Sequence, residues 1–396
     1  MLRTRRGLFT VVGREDSYRN TAALFAARGH EAYVAELQTQ GRNARPPLPP
    51  GTQEIRISSN ENPLGPGAKV LDAIVGKFPE AGRYPFNSTP SDANLTAAIA
   101  THFKIKPENV SLGAGSQEIL RSAVRAFTGP DRGLVTAAPT FENPTSLAKK
   151  LGHPLTEIPV DADFRLDVEK MIAAAPGSGL VFFNNPNNPT ATVHGAKTVT
   201  DFVASVRKAA PDAVILIDEA YHDYVTDPSY ATAVPLALET PNVLVARTFS
   251  KAYGMAGMRI GFAVGQAETV KRLARFKMPY NISVFGVVAA ITALNDPAHI
   301  EAERNRNLEV RSFTAKALAD LGCKCTDSHG NFLFVEIKRP AKDFRDACAK
   351  QGVSVGRDFP PFEKTHARIS IGTMDEMRKA VEVFRGVLKP VTTAGR

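Results

Sequence analysis

The sequence predicts an α/β fold, a mainly parallel sheet flanked by helices with a smaller α+β unit, and three observations carry that prediction. From about residue 92 to residue 295, short apolar runs alternate with longer segments of helical periodicity, the pattern of repeated strand-helix units. The runs are unbroken rather than alternating, as expected of strands covered on both faces. After residue 330 the pattern changes to short strands set between helix-like segments, which reads as a second, smaller unit.

The elements follow in chain order. Residues 1–12 (MLRTRRGLFTVV) carry twin arginines before a short apolar run, which residues 13–16 (GRED) end early. Export on a twin-arginine signal is one reading and a cytoplasmic protein is the expectation. Residues 17–38 show helical spacing around Leu24, Phe25, Tyr33, Val34 and Leu37, and the proline-rich stretch 46–50 closes this N-terminal arm at residue 50. Strands are predicted at 133–137 (GLVTA), 179–183 (GLVFF), 213–218 (AVILID), 242–246 (NVLVA) and 260–264 (IGFAV), and in the tail at 332–337, 353–356 and 367–371. The expected organisation is an arm over 1–50, a large α/β domain over 84–295, and a small α+β domain built from 51–83 together with 296–396.

Composition sets the limits on function. The 396 residues, 43% hydrophobic and 22% charged, suffice for a large core without disulfide staples. The net charge of +9 is scattered, with no basic stripe interleaved with aromatics, so no nucleic-acid partner is expected. No apolar stretch approaches 18 residues, so no membrane span is expected. Three cysteines, Cys323, Cys325 and Cys348, are too few for a four-thiolate zinc site, and the eight histidines lack ligand spacing, so no metal is expected.

Ligands of open α/β sheets bind beyond the carboxyl ends of strands, and chemistry-bearing residues collect there. Asp218 ends the most apolar strand, where it either caps the next helix or needs a partner to offset burial. The strand at 242–246 runs into Arg247-Thr-Phe-Ser-Lys-Ala-Tyr-Gly-Met-Ala-Gly-Met-Arg259. A buried lysine there can bond covalently to an aldehyde cofactor, and an arginine eight residues on offers a fork for phosphate; a lysine in such a turn can also be a solvated surface residue. Asn184-Asn-Pro-Asn-Asn-Pro-Thr-Ala191 brings side-chain amides on a rigid turn. Leu112-Gly-Ala-Gly-Ser-Gln117 opens a helix with small residues whose N–H groups can wrap a phosphate.

Taken in order, Asn188, Asp218, Tyr221, Lys251 and Arg259, with the turn at 113–117 upstream, resemble the pyridoxal-phosphate site of aminotransferases of the aspartate aminotransferase fold type. The resemblance covers roughly residues 55–390, and Thr248-x-Ser-Lys251-x-x-Gly-x-x-Gly-x-Arg259 is its most specific piece. It implies pyridoxal 5'-phosphate as cofactor, held covalently by Lys251, which also serves as the base that moves the substrate proton. It implies further that Asp218 pairs with the pyridinium nitrogen, that Asn188 and Tyr221 contact the ring hydroxyl, and that Phe141 stacks on the ring. The phosphate falls to Gly115, Ser116, Gln117, Thr248, Ser250 and Arg259, and Tyr84 reaches it from the other subunit of a homodimer.

Within that superfamily, the motifs at 60–66 (NENPLGP), 83–85 (RYP), 138–141 (APTF), 185–190 (NPNNPT), 218–221 (DEAY) and 368–373 (RISIGT) are similar to histidinol-phosphate aminotransferases. The resemblance implies an amino donor and a 2-oxo acid acceptor such as 2-oxoglutarate, with Arg368 and Asn60 at the substrate. Aromatic amino acid aminotransferases and threonine-phosphate decarboxylases share the same residues and stand as alternatives. Two departures matter. Ala191 occupies a position where the family usually has glycine, so a positive φ there would be strained. Gly356-Arg357 replaces the family's phosphate-binding arginine directly after the strand at 353–355, and Arg357 is the candidate to supply that charge.

Overall fold

The structure is a computed structural model that describes residues 54–85 and 91–388; the expectations for the arm over 1–50 lie outside these residues. Twelve strands run in chain order as β1 (Ile55–Ile57), β2 (Val110–Gly113), β3 (Leu134–Ala138), β4 (Leu155–Pro159), β5 (Leu180–Asn184), β6 (Val214–Asp218), β7 (Val243–Thr248), β8 (Gly261–Gly265), β9 (Lys324–Cys325), β10 (Phe332–Glu336), β11 (Val353–Val355) and β12 (His366–Ser370).

Seven of them form one sheet in the order β2-β8-β7-β6-β5-β3-β4, in which β8 alone runs antiparallel to its neighbours. Its central strands are apolar up to their carboxyl ends because both faces are covered. Val181, Phe183, Ile215, Ile217, Val243 and Val245 pack on one side, and Leu180, Phe182, Val214, Leu216 and Leu244 on the other. Helices Ala196–Ala209 and Val284–Leu294 cover the first face, and helices Ser116–Phe127, Asn143–Leu151 and Ala267–Ala274 the second. This is the predicted α/β architecture.

A three-stranded antiparallel sheet, β12-β10-β9, and the parallel pair β1-β11 make a second core around Leu333, Val335, Phe344, Ile369 and Phe384. Ile57 of β1 lies in this core. Helix Ala68–Gly76 differs. Val70 and Ile74, four residues apart on one helical face, are buried in the core of the large sheet beside helix Val284–Leu294. The two cores thus divide the segment 51–83 between them.

Parallel order puts the carboxyl ends of β2, β3, β5, β6 and β7 along one edge. Asn184 pairs with Asp218, and Asp218 with Ala246, so three consecutive strands end level and release their loops side by side. The sheet therefore positions the site by register alone.

Candidate active site

Asp218 is 2% exposed at the end of β6. Burial pushes its carboxyl up to about 7, against the single hydrogen bond that its Oδ1 accepts from the Ala220 N–H at 3.1 Å. Among the described residues it forms no ion pair, so a cationic partner is what the position lacks. Lys251, three residues beyond β7, is the complementary case. Desolvation lowers its ammonium to about 8, with Arg368 and Arg259 adding to the effect and Glu61 and Asp218 opposing it. Its Nζ donates to the Asn60 carbonyl at 3.1 Å and lies 5.6 Å from the centre of the Tyr221 ring. Near physiological pH this leaves a larger share of the amine unprotonated than in an ordinary lysine, and the unprotonated amine is the nucleophile that capture of an aldehyde needs.

Segment 58–60 ties these groups together. Asn60 donates from Nδ2 to the Tyr221 hydroxyl at 3.0 Å, and its Oδ1 accepts from the Ser370 hydroxyl at 2.7 Å. The Ser58 carbonyl accepts from Arg368 at 2.6 Å, and Arg368 also donates to Asn188 Oδ1 at 2.9 Å. Burial raises the Tyr221 hydroxyl to about 12, partly offset by Arg368. Arg368 itself is 6% exposed, has no carboxylate partner among the described residues, and leaves Nε without a hydrogen bond. Desolvation lowers it to about 10, so it stays charged and unpaired at neutral pH. A buried guanidinium in that state is a site for an anion.

A second anion site lies at the start of helix Ser116–Phe127. Gly115 takes φ +73°, and a Cβ there would come within 2.3 Å of an Arg259 amino group. Gly261 in β8 is equally constrained, since its Cβ would meet the Ser116 N atom at 2.3 Å. Glycine at both places lets the helix N-terminus, the end of β7 and Arg259 converge. Arg259 donates to the Ser250 hydroxyl at 3.4 Å and to the Ala256 carbonyl at 2.8 Å and has no ion pair among the described residues, while Thr248 Oγ1 accepts from the Ser250 N–H at 3.1 Å. Helix dipole, hydroxyls and a free guanidinium suit a phosphate. Gln117 is exposed in the first turn, and Phe141 is half buried after β3.

The sequence reading brought these residues to one edge, with three qualifications. Tyr84 is 65% exposed and lies against Tyr280, with the rings tilted by 40° and 5.1 Å between their centres. Arg357 is exposed and forms an ion pair with Glu142. Ala191 has φ +60°, the strained left-handed conformation, held by its N–H to Asn187 O at 2.8 Å and by the His329 N–H to its carbonyl at 2.8 Å.

Other contributors escaped the sequence reading. Asn187 donates to the Pro139 carbonyl at 3.0 Å and accepts from the Thr140 hydroxyl at 2.7 Å, fastening the loop after β5 to the loop after β3. Glu219 forms a buried ion pair with Arg247 at 2.8 Å, shared with the Thr232 hydroxyl. The register that sets Asp218 opposite Ala246 places the next residues, Glu219 and Arg247, together as well.

The residues fit pyridoxal phosphate at each end of the molecule. Among the described residues Asp218 has no cationic partner, Lys251 has no carboxylate partner, and Arg259 in the glycine-lined cradle has no anionic partner.

Comparison with known proteins agrees. The profile of the aminotransferase class I and II family matches residues 52–384. The histidinol-phosphate aminotransferase of Moorella thermoacetica is 33% identical over 339 residues, covering 84% of this chain and 85% of its own length. That of Anaeromyxobacter sp. is 34% identical over 341 residues, covering 84% and 90%. The crystal structure of histidinol-phosphate aminotransferase from Sinorhizobium meliloti in complex with pyridoxal-5'-phosphate superposes with a TM-score of 0.79 at 27% identity, covering 86% of this chain and 92% of that one.

Asp218→Asn tests the lone acid in two ways. The folded pKa of about 7 lies above the ordinary 3.8, so between those values the folded chain keeps a proton that the unfolded chain has released. Stability of the cofactor-free protein therefore falls as pH rises through that window, on the order of 1.4 kcal/mol for each pH unit. The variant should lose this decline in urea melts at pH 4 to 8, yet its turnover with cofactor should drop roughly a hundredfold or more, as when a preorganised charge partner is removed. Activity near that of the parent would make Asp218 a helix cap and nothing more.

Proposed function

This chain belongs to the aminotransferase class I and II family, and from that premise we propose that it moves an amino group from a donor of the histidinol-phosphate or amino-acid type to 2-oxoglutarate. It is a pyridoxal-phosphate-dependent transaminase. The observation that carries the reading is a half-buried lysine, its ammonium lowered to about 8, set with a lone buried acid beyond the level ends of β6 and β7.

When bound, the cofactor supplies an electron sink conjugated to the substrate's reacting carbon. The chain's own residues do the rest. Lys251 Nζ would hold the cofactor and, when released from it, would serve as the base that takes a proton from the substrate carbon. Asp218 accepts the ring N–H as a charge-assisted hydrogen bond and keeps that nitrogen protonated. Asn188 and Tyr221 orient the ring hydroxyl. Gly115, Ser116, Gln117, Thr248, Ser250 and Arg259 bind the phosphate, and Phe141 covers the ring face. Arg368, tied in place by Asn188 and the Ser58 carbonyl, receives the carboxylate of glutamate or 2-oxoglutarate as a planar fork. Asn60 orders the same wall of the pocket.

We further propose a homodimer in which Tyr84 serves the neighbouring subunit's phosphate. Exposed apolar side chains support it: Leu71 and Val75, one helical turn apart, and also Phe78 and Met278. One observation favours a second reading of the donor. Glu142 neutralises Arg357, and the aromatic Phe359 lies against both Arg357 and Arg368, surroundings that suit a neutral aromatic amino acid.

Transamination of histidinol phosphate, phenylalanine, tyrosine and glutamate by the purified holoenzyme, followed by cofactor absorbance, separates these donors. Arg368→Ala should impair both half-reactions. Arg357→Ala should impair the phosphorylated amine more than glutamate, by roughly 1.5–3 kcal/mol in kcat/KM. Rapid turnover of phenylalanine with none of histidinol phosphate would settle on the aromatic reading.

Mixing inactive Tyr84→Ala and Lys251→Ala proteins should restore up to about a quarter of parental activity, because half of randomly exchanged dimers hold one intact site. No recovery despite proven subunit exchange would remove Tyr84 from its neighbour's site.

A further inference from the structure

Arg357 and Arg368 share one aromatic ring. The Arg357 guanidinium carbon lies 4.2 Å from the centre of Phe359, and that of Arg368 lies 4.8 Å from it, so the two cations are no more than about 9 Å apart. Their surroundings are opposite. Arg368 is buried, without a carboxylate and with Nε unpartnered. Arg357 is about half exposed and paired with Glu142, whose side chain is equally half exposed. Glu142 follows Phe141 directly and begins helix Asn143–Leu151, so its carboxylate is delivered from the loop after β3 to the rim of the same pocket.

Gly356 explains why the second cation stands one residue further on. A Cβ at Gly356 would come 2.6 Å from the Arg368 carbonyl oxygen and 3.3 Å from Arg368 Nε. No side chain fits there while Arg368 keeps its place, and Arg357 is the nearest position from which a charge can reach the rim.

We propose that Glu142 is a specificity-determining residue, which by holding Arg357 sets how strongly the enzyme prefers substrates with a second anionic group, a carboxylate or a phosphate. The proposal rests on the aminotransferase reading with Arg368 as the anchor for the first anion. A substrate whose far end is anionic must displace the Glu142 carboxylate from Arg357 and then lie beside its charge. A substrate whose far end is a neutral ring leaves the pair closed. A half-exposed ion pair can be opened by a competing anion at a cost on the order of 1 kcal/mol, so the pair admits both classes and grades their affinity.

Two inert ligands of the holoenzyme separate the effects in titration calorimetry: glutarate, with carboxylates at both ends, and 3-phenylpropionate, with one carboxylate and a ring. Glu142→Gln should bind glutarate roughly tenfold more tightly, about 1.4 kcal/mol, and 3-phenylpropionate within roughly twofold of the parent. In turnover, KM for glutamate should fall while kcat holds. The double variant Glu142→Gln, Arg357→Ala should lose the gain. Should Glu142→Gln fail to fold, Glu142→Ala provides the same comparison. A gain that survives loss of Arg357, or an equal gain for 3-phenylpropionate, would overturn the proposal. Glutarate selectivity of the expected kind without transamination of any donor would instead overturn the aminotransferase reading and leave this one standing.

Discussion

Three ionisable groups, buried Asp218 and Arg368 and half-buried Lys251, are desolvated without an ion-pair partner among the described residues, and the rest of the site is arranged around that constraint. Desolvation moves each toward its neutral form, Asp218 to about 7, Lys251 to about 8 and Arg368 to about 10. A folded chain carries such a cost only if something else holds the groups in place. Here that is the level ending of β5, β6 and β7 together with segment 58–60, whose backbone and Asn60 side chain reach Lys251, Tyr221, Arg368 and Ser370.

The buried Glu219 and Arg247 make an instructive contrast. They sit next to Asp218 at the end of β6 and in β7 and are also buried, but they satisfy each other and share the Thr232 hydroxyl, and Glu219 further accepts from the Ala233 N–H. That pair is structural and closed. Asp218, one residue before Glu219 and on the opposite face of the strand end, is left open to a ligand. The difference between a supporting acid and a functional one is therefore whether the fold provides the counter-charge.

Much of this was legible in the sequence because parallel strands buried on both faces need unbroken apolar runs, and the runs in β5, β6 and β7 have clear limits. The Lys251 segment was legible because glycines, hydroxyls and Arg259 recur at fixed spacing. β4 was not, since it is an edge strand whose residues Leu155–Pro159 are half exposed and lack an apolar run. The burial of Val70 and Ile74 of helix Ala68–Gly76 in the core of the large sheet was not legible, because two apolar residues four apart name a buried face and not the partner that buries it. The ties made by the carbonyls of Ser58, Ser59 and Asn60 have no sequence signal at all, for a carbonyl belongs to every residue. The Glu142 and Arg357 pair joins residues more than two hundred positions apart, and only the fold brings them together.

The central claim is that Lys251 is the amine this site was built around. It is tested by adding pyridoxal phosphate to the cofactor-free protein over a range of pH, trapping the adduct with borohydride and mapping the modified peptide. The account predicts modification at Lys251, at a rate that rises with pH as the ammonium gives up its proton and levels off above about 8. Modification at another lysine, or a rate still climbing toward the ordinary lysine value of 10.5, would contradict it.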